Sequence, residues 1–230
     1  MAPGGTLTTL HNFDFGDGAF PQTPLQAPSG YLYGTTFLYG PGNFGTIFRI
    51  TPSGALTTLV SWNGLSGGEP TTLIMASDGN FYGTTEVGGT GSGVVFKMTP
   101  AGKVTTVYSA GVTDGFPVTG LAQGTDGKFY GLTPGGGLNN KGTVFVLLTG
   151  IAPFVKTVPP VGKVGAVIRI LGSNLAGATG VIFNGAPAAF NVARPSELTA
   201  TVPAGATTGN VEVTIPNGKL SSDVKFRVLP

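Results

Sequence analysis

Cysteine is absent from the 230 residues, and histidine and tryptophan occur once each, as His11 and Trp62. The first absence excludes disulfides, thiol nucleophiles and thiolate metal sites. The single histidine excludes a multi-histidine metal centre. Charged residues are scarce as well, at 10% of the chain, well under the usual quarter. No dozen-residue stretch combines Ala, Leu, Glu and Lys with a 3.6-residue period, so no long helix is predicted. No apolar run reaches the roughly 20 residues of a membrane-spanning helix. Met1-Ala2-Pro3-Gly4-Gly5 lacks a charged region followed by an apolar one, so no export signal is expected within this chain. Either the mature form is given or the N-terminus is truncated.

What is abundant is glycine, at 40 residues, with 18 prolines, set between apolar, β-branched and aromatic runs. That is how turns punctuate strands. With 40% hydrophobic residues the chain can bury a core and is not disordered. Residues 1–150 hold five Lys/Arg and seven Asp/Glu, a net of −2. Residues 151–230 hold seven and three, a net of +4. The basic charges are scattered, which suits a solvated surface and not a nucleic-acid footprint.

A repeat organises the first 150 residues. Tyr33-Gly34-Thr35-Thr36 returns as Tyr82-Gly83-Thr84-Thr85 and as Tyr130-Gly131-Leu132-Thr133, in steps of 49 and 48 residues. Gly45-Thr46-Ile47-Phe48-Arg49-Ile50-Thr51-Pro52 returns as Gly93-Val94-Val95-Phe96-Lys97-Met98-Thr99-Pro100, then in weaker form over 142–149 with Phe145. Thr8-Thr9-Leu10 matches Thr57-Thr58-Leu59 and Thr105-Thr106-Val107, and Pro21, Pro70 and Pro117 keep the same period. A period of this length is the mark of a repeat architecture. The second unit predicts strands at Thr71 to Ala76, Phe81 to Thr85, Val94 to Thr99 and Val104 to Ser109, with a turn at Asp78-Gly79-Asn80. Four short antiparallel strands per unit describe a propeller-type blade. Gly34, Gly83 and Gly131 are expected to let neighbouring backbones approach closely. Phe48, Phe96 and Phe145 are expected to fill the layer between blades, and Tyr33, Tyr82 and Tyr130 to do the same with hydroxyls reaching water or a partner.

These segments resemble the GloVer tandem-repeat family of large exported bacterial proteins, over roughly residues 6–149. The turn-then-aromatic pattern is also similar to blades of virginiamycin B lyase-type propellers. That enzyme class uses histidine, glutamate and a divalent metal, and one histidine does not carry the equipment over. Three blades fall short of the four to eight with which propellers close. Leu7 to Phe13 reads as a fourth strand with no blade before it, and the third repeat ends at Thr149 without its own fourth strand. Three resolutions stand, in this order: missing upstream blades, two copies forming a six-bladed ring, or a compact three-bladed prism.

Past Gly150-Ile151-Ala152-Pro153 come seven strand-like runs: Phe154–Val158, Ala166–Leu171, Gly180–Phe183, Ala188–Val192, Leu198–Val202, Asn210–Ile215 and Val224–Val228. Seven short strands in eighty residues fit a sandwich, and Asn184-Gly185 and Asn217-Gly218 are hairpin signals. Pro159 to Gly162, Val167 to Gly172 with Asn174-Leu175, Val181 to Gly185 and Thr201-Val202-Pro203 resemble the IPT/TIG domain, an immunoglobulin-like module. In bacterial surface proteins that resemblance implies a spacer or an adhesive, glycan-associated role. The expected fold class is therefore all-β: three propeller-type four-stranded repeats over 1–150, a partial or oligomer-completed propeller, then an Ig-like β-sandwich over 151–230.

Chemistry is sparse. His11 reads as a surface or blade-edge histidine, since a catalytic base needs an oriented partner. Asp14-Phe15-Gly16-Asp17-Gly18 lacks the EF-hand spacing and reads as a turn, as does Asp114-Gly115. Gly88 to Gly93 and Gly135 to Gly137 have no P-loop lysine after them. No catalytic residue, metal site or cofactor is expected. The better lead is aromatic: Phe37, Tyr39, Phe44 and Trp62, onto which sugar rings could stack. Inter-blade packing is the competing role for the same four rings. The expected function is a non-catalytic secreted or cell-surface structural or binding protein. Its repeats form a platform for a glycan or protein ligand, and its sandwich serves as spacer or docking module. It has no nucleic-acid partner and no membrane span, and a homo-oligomer could complete the propeller. The alternative is a propeller enzyme, a lyase or a carboxylate-based glycosidase.

Overall fold

A computed structural model describes residues 5–111, 114–115 and 119–230. Pro117, one of the repeat markers, lies outside the described residues. The chain is all-β among those residues, apart from one 3-10 turn at Leu175–Gly177. It divides into two compact units, 1–122 with 130–146, and 123–129 with 147–230.

Each repeat forms one antiparallel sheet. The first is built from Ala19–Pro21 and Leu25–Gln26, both paired to Leu32–Leu38, then Thr46–Ile50 and Leu56–Ser61. The second runs Gly68–Met75, Phe81–Val87, Val94–Met98, Val104–Ser109. Its inner strand is longer than the predicted Thr71 to Ala76 and takes in Pro70 at a register shift, where the missing N–H costs no ladder bond. The third is three-stranded: Gly120–Gln123, Phe129–Thr133, Thr143–Leu147. Leu7 to Phe13, expected as a strand, carries no strand assignment.

Alternation along each strand divides a sheet into two faces. Gly34 pairs with Phe48 and Thr36 with Thr46, giving what we term the Gly–Phe face. Tyr33 pairs with Arg49 and Thr35 with Ile47 on the opposite Tyr face. The second sheet repeats this, with Gly83 opposite Phe96 and Tyr82 opposite Lys97. The Tyr face of the first sheet packs on the Gly–Phe face of the second. Tyr33, Ile47 and Trp62 bury against Phe81, Val94, Phe96 and Met98 in one cluster. The Tyr33 and Phe81 rings lie 4.3 Å apart.

The conserved spacing of glycine and phenylalanine along the chain has a steric cause. Each glycine lies beneath the ring of its cross-strand neighbour. A Cβ on Gly34 would stand 2.6 Å from Phe48 Cζ, and one on Gly83 or Gly131 would strike the ring of Phe96 or Phe145. Where backbones were expected to approach, a phenylalanine ring lies over all three, with the Thr72 carbonyl equally close at Gly83 and the Gly120 carbonyl near Gly131. A buried threonine pair closes the end of the same ladder. Thr36 Oγ1 and Thr46 Oγ1 are 2.8 Å apart in the first sheet, and Thr133 Oγ1 and Thr143 Oγ1 are 2.8 Å apart in the third.

The second unit is a sandwich. One sheet orders Val155–Val158, Val167–Gly172, Glu197–Thr201 and Phe190–Arg194. The other orders Ala186–Pro187, Gly180–Phe183, Val211–Ile215 and Gly218–Ser221. Val161–Lys163 pairs in parallel with Arg227–Leu229. Inward residues of both sheets, among them Ile168, Ile170, Leu198, Val181, Phe183, Val211 and Val213, make the core with Phe226. Asn184 and Gly185 both take positive φ, 44° and 93°, as a type I′ hairpin requires. At Asn217-Gly218 only the glycine does. The hairpin tip 123–129 belongs to this unit: the Phe154 amide donates to the Thr125 carbonyl at 2.9 Å.

Candidate functional site

The four aromatic rings singled out from sequence do not share one environment. Trp62 is buried at 2% exposure, with its ring 5.2 Å from that of Phe96. It is a core residue between two sheets and offers no face to a ligand. Phe44 is half-buried beside the same cluster, with Gly64 and Gly68 beneath it. Phe37 is half-buried. Tyr39 alone is exposed, at 40%. Its backbone is held at φ 63° by a small loop, in which the Tyr39 amide donates to the Asn43 carbonyl and the Gly45 amide to the Tyr39 carbonyl.

Tyr39 has a partner that the sequence reading treated only as part of a turn. Phe15, 72% exposed, meets the Tyr39 ring edge-on with centroids 4.7 Å apart. The Gly40 amide donates to the Phe15 carbonyl at 3.0 Å and ties the two loops together. The pair is a small apolar platform at the loop end of the first sheet. A phenylalanine at the tip of an Asp-x-Gly-Asp-Gly loop was the available signal, because nothing in such a turn can bury it.

The loop beneath Phe15 is rigidly made. Asp14 Oδ1 accepts the amides of Gly16 and Asp17, and Asp17 Oδ1 accepts the Asp14 amide. Asp17 Oδ2 lies 2.6 Å from His11 Nε2. The structure thus unites His11 with a carboxylate, the geometry a general base would need. A like pair stands at the matching positions two repeats on, after the outer strand of the second sheet. At the equivalent positions Tyr108 donates to Asp114 Oδ2 at 2.6 Å, and that oxygen also takes the Gly111 amide. A phenol stands there in place of an imidazole and bonds the aspartate in the same way. In the first repeat the bond clamps the loop that leads into Ala19–Pro21. The hydrogen bond from Tyr108 to Asp114, helped by burial, lifts the phenol above its ordinary range.

Two further polar groups lie on the second sheet. Lys97 donates to Asp78 Oδ2 at 2.8 Å, and the Tyr82 hydroxyl donates to the same oxygen at 3.1 Å. Burial pushes the Asp78 carboxyl up, but the bonds from Lys97 and Asn80 outweigh it and hold it below the usual range. Burial and the Glu69 charge raise Glu86. Among the described residues no three His, Asp or Glu side chains converge as a metal site would require. No helix among them is long and apolar enough to cross a membrane.

The sequence profile of the Gloeobacter/Verrucomicrobia repeat matches residues 1–158, and that of the IPT/TIG domain matches residues 153–228. No curated protein matches the chain. Among solved structures, one assigned as a gluconolactonase is 14% identical, with a TM-score of 0.40, covering 87% of this chain and 73% of its own. The extracellular domain of a one-component system from B. thetaiotaomicron is 12% identical, TM-score 0.34, covering 96% of this chain and 39% of that one. The γ-CGTase of alkalophilic Bacillus clarkii is 16% identical, TM-score 0.29, covering 90% and 25%. With a repeat profile spanning more than half of its length, this chain belongs to the Gloeobacter/Verrucomicrobia repeat family and carries a C-terminal IPT/TIG domain.

Proposed function

We propose that the protein is a non-catalytic structural and binding module of the cell surface or secretome. Residues 1–150 serve as the interaction platform and residues 151–230 as spacer or docking module. The observation that carries this reading is the Phe15–Tyr39 pair, two large apolar rings held edge-to-face and open to solvent on a loop built by side-chain and backbone hydrogen bonds. Pre-ordered aromatics present contact area at low entropic cost, and the apolar face of a sugar or a protein side chain can lie against them.

A glycan array followed by calorimetry tests this. The chain is expected to bind a subset of glycans, and Tyr39→Ala or Phe15→Ala to weaken that binding at least about tenfold, the loss of one well-packed aromatic contact. An array and a cell-wall pull-down that are both silent would remove the binding role. The competing reading, a carboxylate enzyme, has one observation in its favour: Glu86, pushed up by burial and by Glu69, is partly prepared as an acid. Glycoside turnover abolished by Glu86→Gln would establish it in place of the proposal.

A further inference from the structure

The N-terminal run stands where an outer strand should be, but without its sheet. In the joint between first and second sheets, Trp62 follows the outer strand Leu56–Ser61 and packs on Phe96 at 5.2 Å and 56°. Phe13 is at the equivalent position, following Thr8-Thr9-Leu10. It packs on Phe48 at 5.1 Å and 59°. The Leu59 carbonyl lies against Gly102 of the second sheet's last hairpin, and the Leu10 carbonyl lies against Gly54 in the first. Gly67 then abuts Thr85, and Gly18 abuts Thr36. Residues 10–18 therefore meet the first sheet as residues 59–67 meet the second. They occupy the place of an outer strand and exit link. Yet residues 7–12 pair with no strand among the described residues.

The third sheet has the opposite deficiency. It ends at Thr143–Leu147 with no outer strand among the described residues. Its Tyr face, the surface that in the first sheet is buried, is open: Leu132 is 52%, Val144 77% and Val146 53% exposed. The matching Thr35 and Ile47 of the first sheet, and Thr84 and Val95 of the second, are buried. An exposed apolar face beside a free strand edge is a surface that invites pairing.

We propose that the occupant of this edge is the N-terminal run of a second copy. Residues 8–12 of one copy add as the fourth, antiparallel strand to Thr143–Leu147 of the other, a case of strand addition at a sheet edge. The completed sheet's Tyr face then meets the partner's Gly34–Phe48 face, in the way the first sheet meets the second. The contact is heterologous, so it must be made twice to close. Two copies of the described three-sheet unit supply six sheets, inside the range in which such rings close, whereas three copies supply nine. The inference is independent of the ligand reading above.

The register of the first sheet, in which Phe48 faces Thr58 and Arg49 faces Thr57, transfers to Phe145 opposite Thr9 and Val146 opposite Thr8. Directly opposed residues of an antiparallel pair lie within disulfide reach. Since the chain has no cysteine, the double variant Thr8→Cys/Val146→Cys introduces the only thiols. After mild oxidation at tens of micromolar it is expected to run mainly at twice the chain mass on a non-reducing gel. A band at the chain mass, with thiols free or joined internally, would overturn the second copy. A ladder of higher multiples would overturn the closed pair. Val144→Glu places a charge on a side chain already exposed in the single chain, so it folds. By light scattering it is expected to halve the native mass, and a dimer that survives it would overturn the proposed surface.

Discussion

Phe96→Ala is expected to lower the stability of the repeat unit by about 3–5 kcal/mol, the usual cost of emptying a phenylalanine site in a core. The ring is fully buried, with Gly83 beneath it and Trp62 beside it. Removing it leaves a double void, since Gly83 contributes no atoms to fill the space. Because the sheets lean on each other through this ring, the loss falls on the joint between first and second repeats and not on one strand alone. Trp62 provides the readout. It is the sole tryptophan and lies in the repeat unit, so urea unfolding followed by its fluorescence reports that unit separately from the sandwich. Separate reporting matters in a chain of two units, where a single unfolding free energy is not defined. A loss under about 0.5 kcal/mol, the range of ordinary surface changes, would contradict the packing described.

Gly83→Ala is expected to destabilise the same unit by about 1–3 kcal/mol, the cost of overpacking. Its backbone is ordinary extended strand, where alanine normally gains about 0.5–1 kcal/mol over glycine. The sign is therefore decided by space alone. The added methyl would strike the Phe96 ring and the Thr72 carbonyl. The two obstacles can be separated. In a Phe96→Leu background the ring is gone and the carbonyl remains. The alanine cost is expected to fall there, with a coupling of about 1 kcal/mol or more, as for other residues in direct contact. Full additivity of the two substitutions, again by Trp62 fluorescence, would place the whole clash on the backbone.

The repeat was legible because it is written in side chains that recur every 48 or 49 residues. Tyr-Gly-Thr-Thr and Phe mark two adjacent strands of one ladder, and their cross-strand pairing follows from an antiparallel hairpin. The sandwich was legible from its alternation, as in Val211 to Ile215, where Val211 and Val213 are buried and Glu212 is not. Its smaller pieces, Val161–Lys163, Ala186–Pro187 and Gly218–Ser221, were not. Two to four residues carry no period, and their pairing is set by the neighbouring strand.

Exposure was the least legible property. Trp62 and Tyr39 look alike in sequence, each an aromatic at the end of a strand. Trp62 is covered by residues of the next repeat, more than thirty positions on, while Tyr39 turns outward on a left-handed backbone. The same dependence on distant partners explains Leu7 to Phe13. Its composition is that of an outer strand, but a strand exists only where another offers its free edge. His11 illustrates the converse. Its pairing with Asp17 became visible only in three dimensions, and the Tyr108–Asp114 bond stands at the matching positions two repeats on.

The account rests on the Tyr face of one repeat seating on the Gly–Phe face of the next, and the Tyr33–Phe81 contact is its most direct probe. The two rings come from successive repeats and stand 4.3 Å apart. A double-mutant cycle with Tyr33→Ala and Phe81→Ala, measured by urea unfolding through Trp62, is expected to give a coupling of about 0.5–1.5 kcal/mol, the value of an aromatic pair beyond its buried area. Losses that simply add would mean that the two sheets do not meet through these rings, and the stacking of repeats would fail with them.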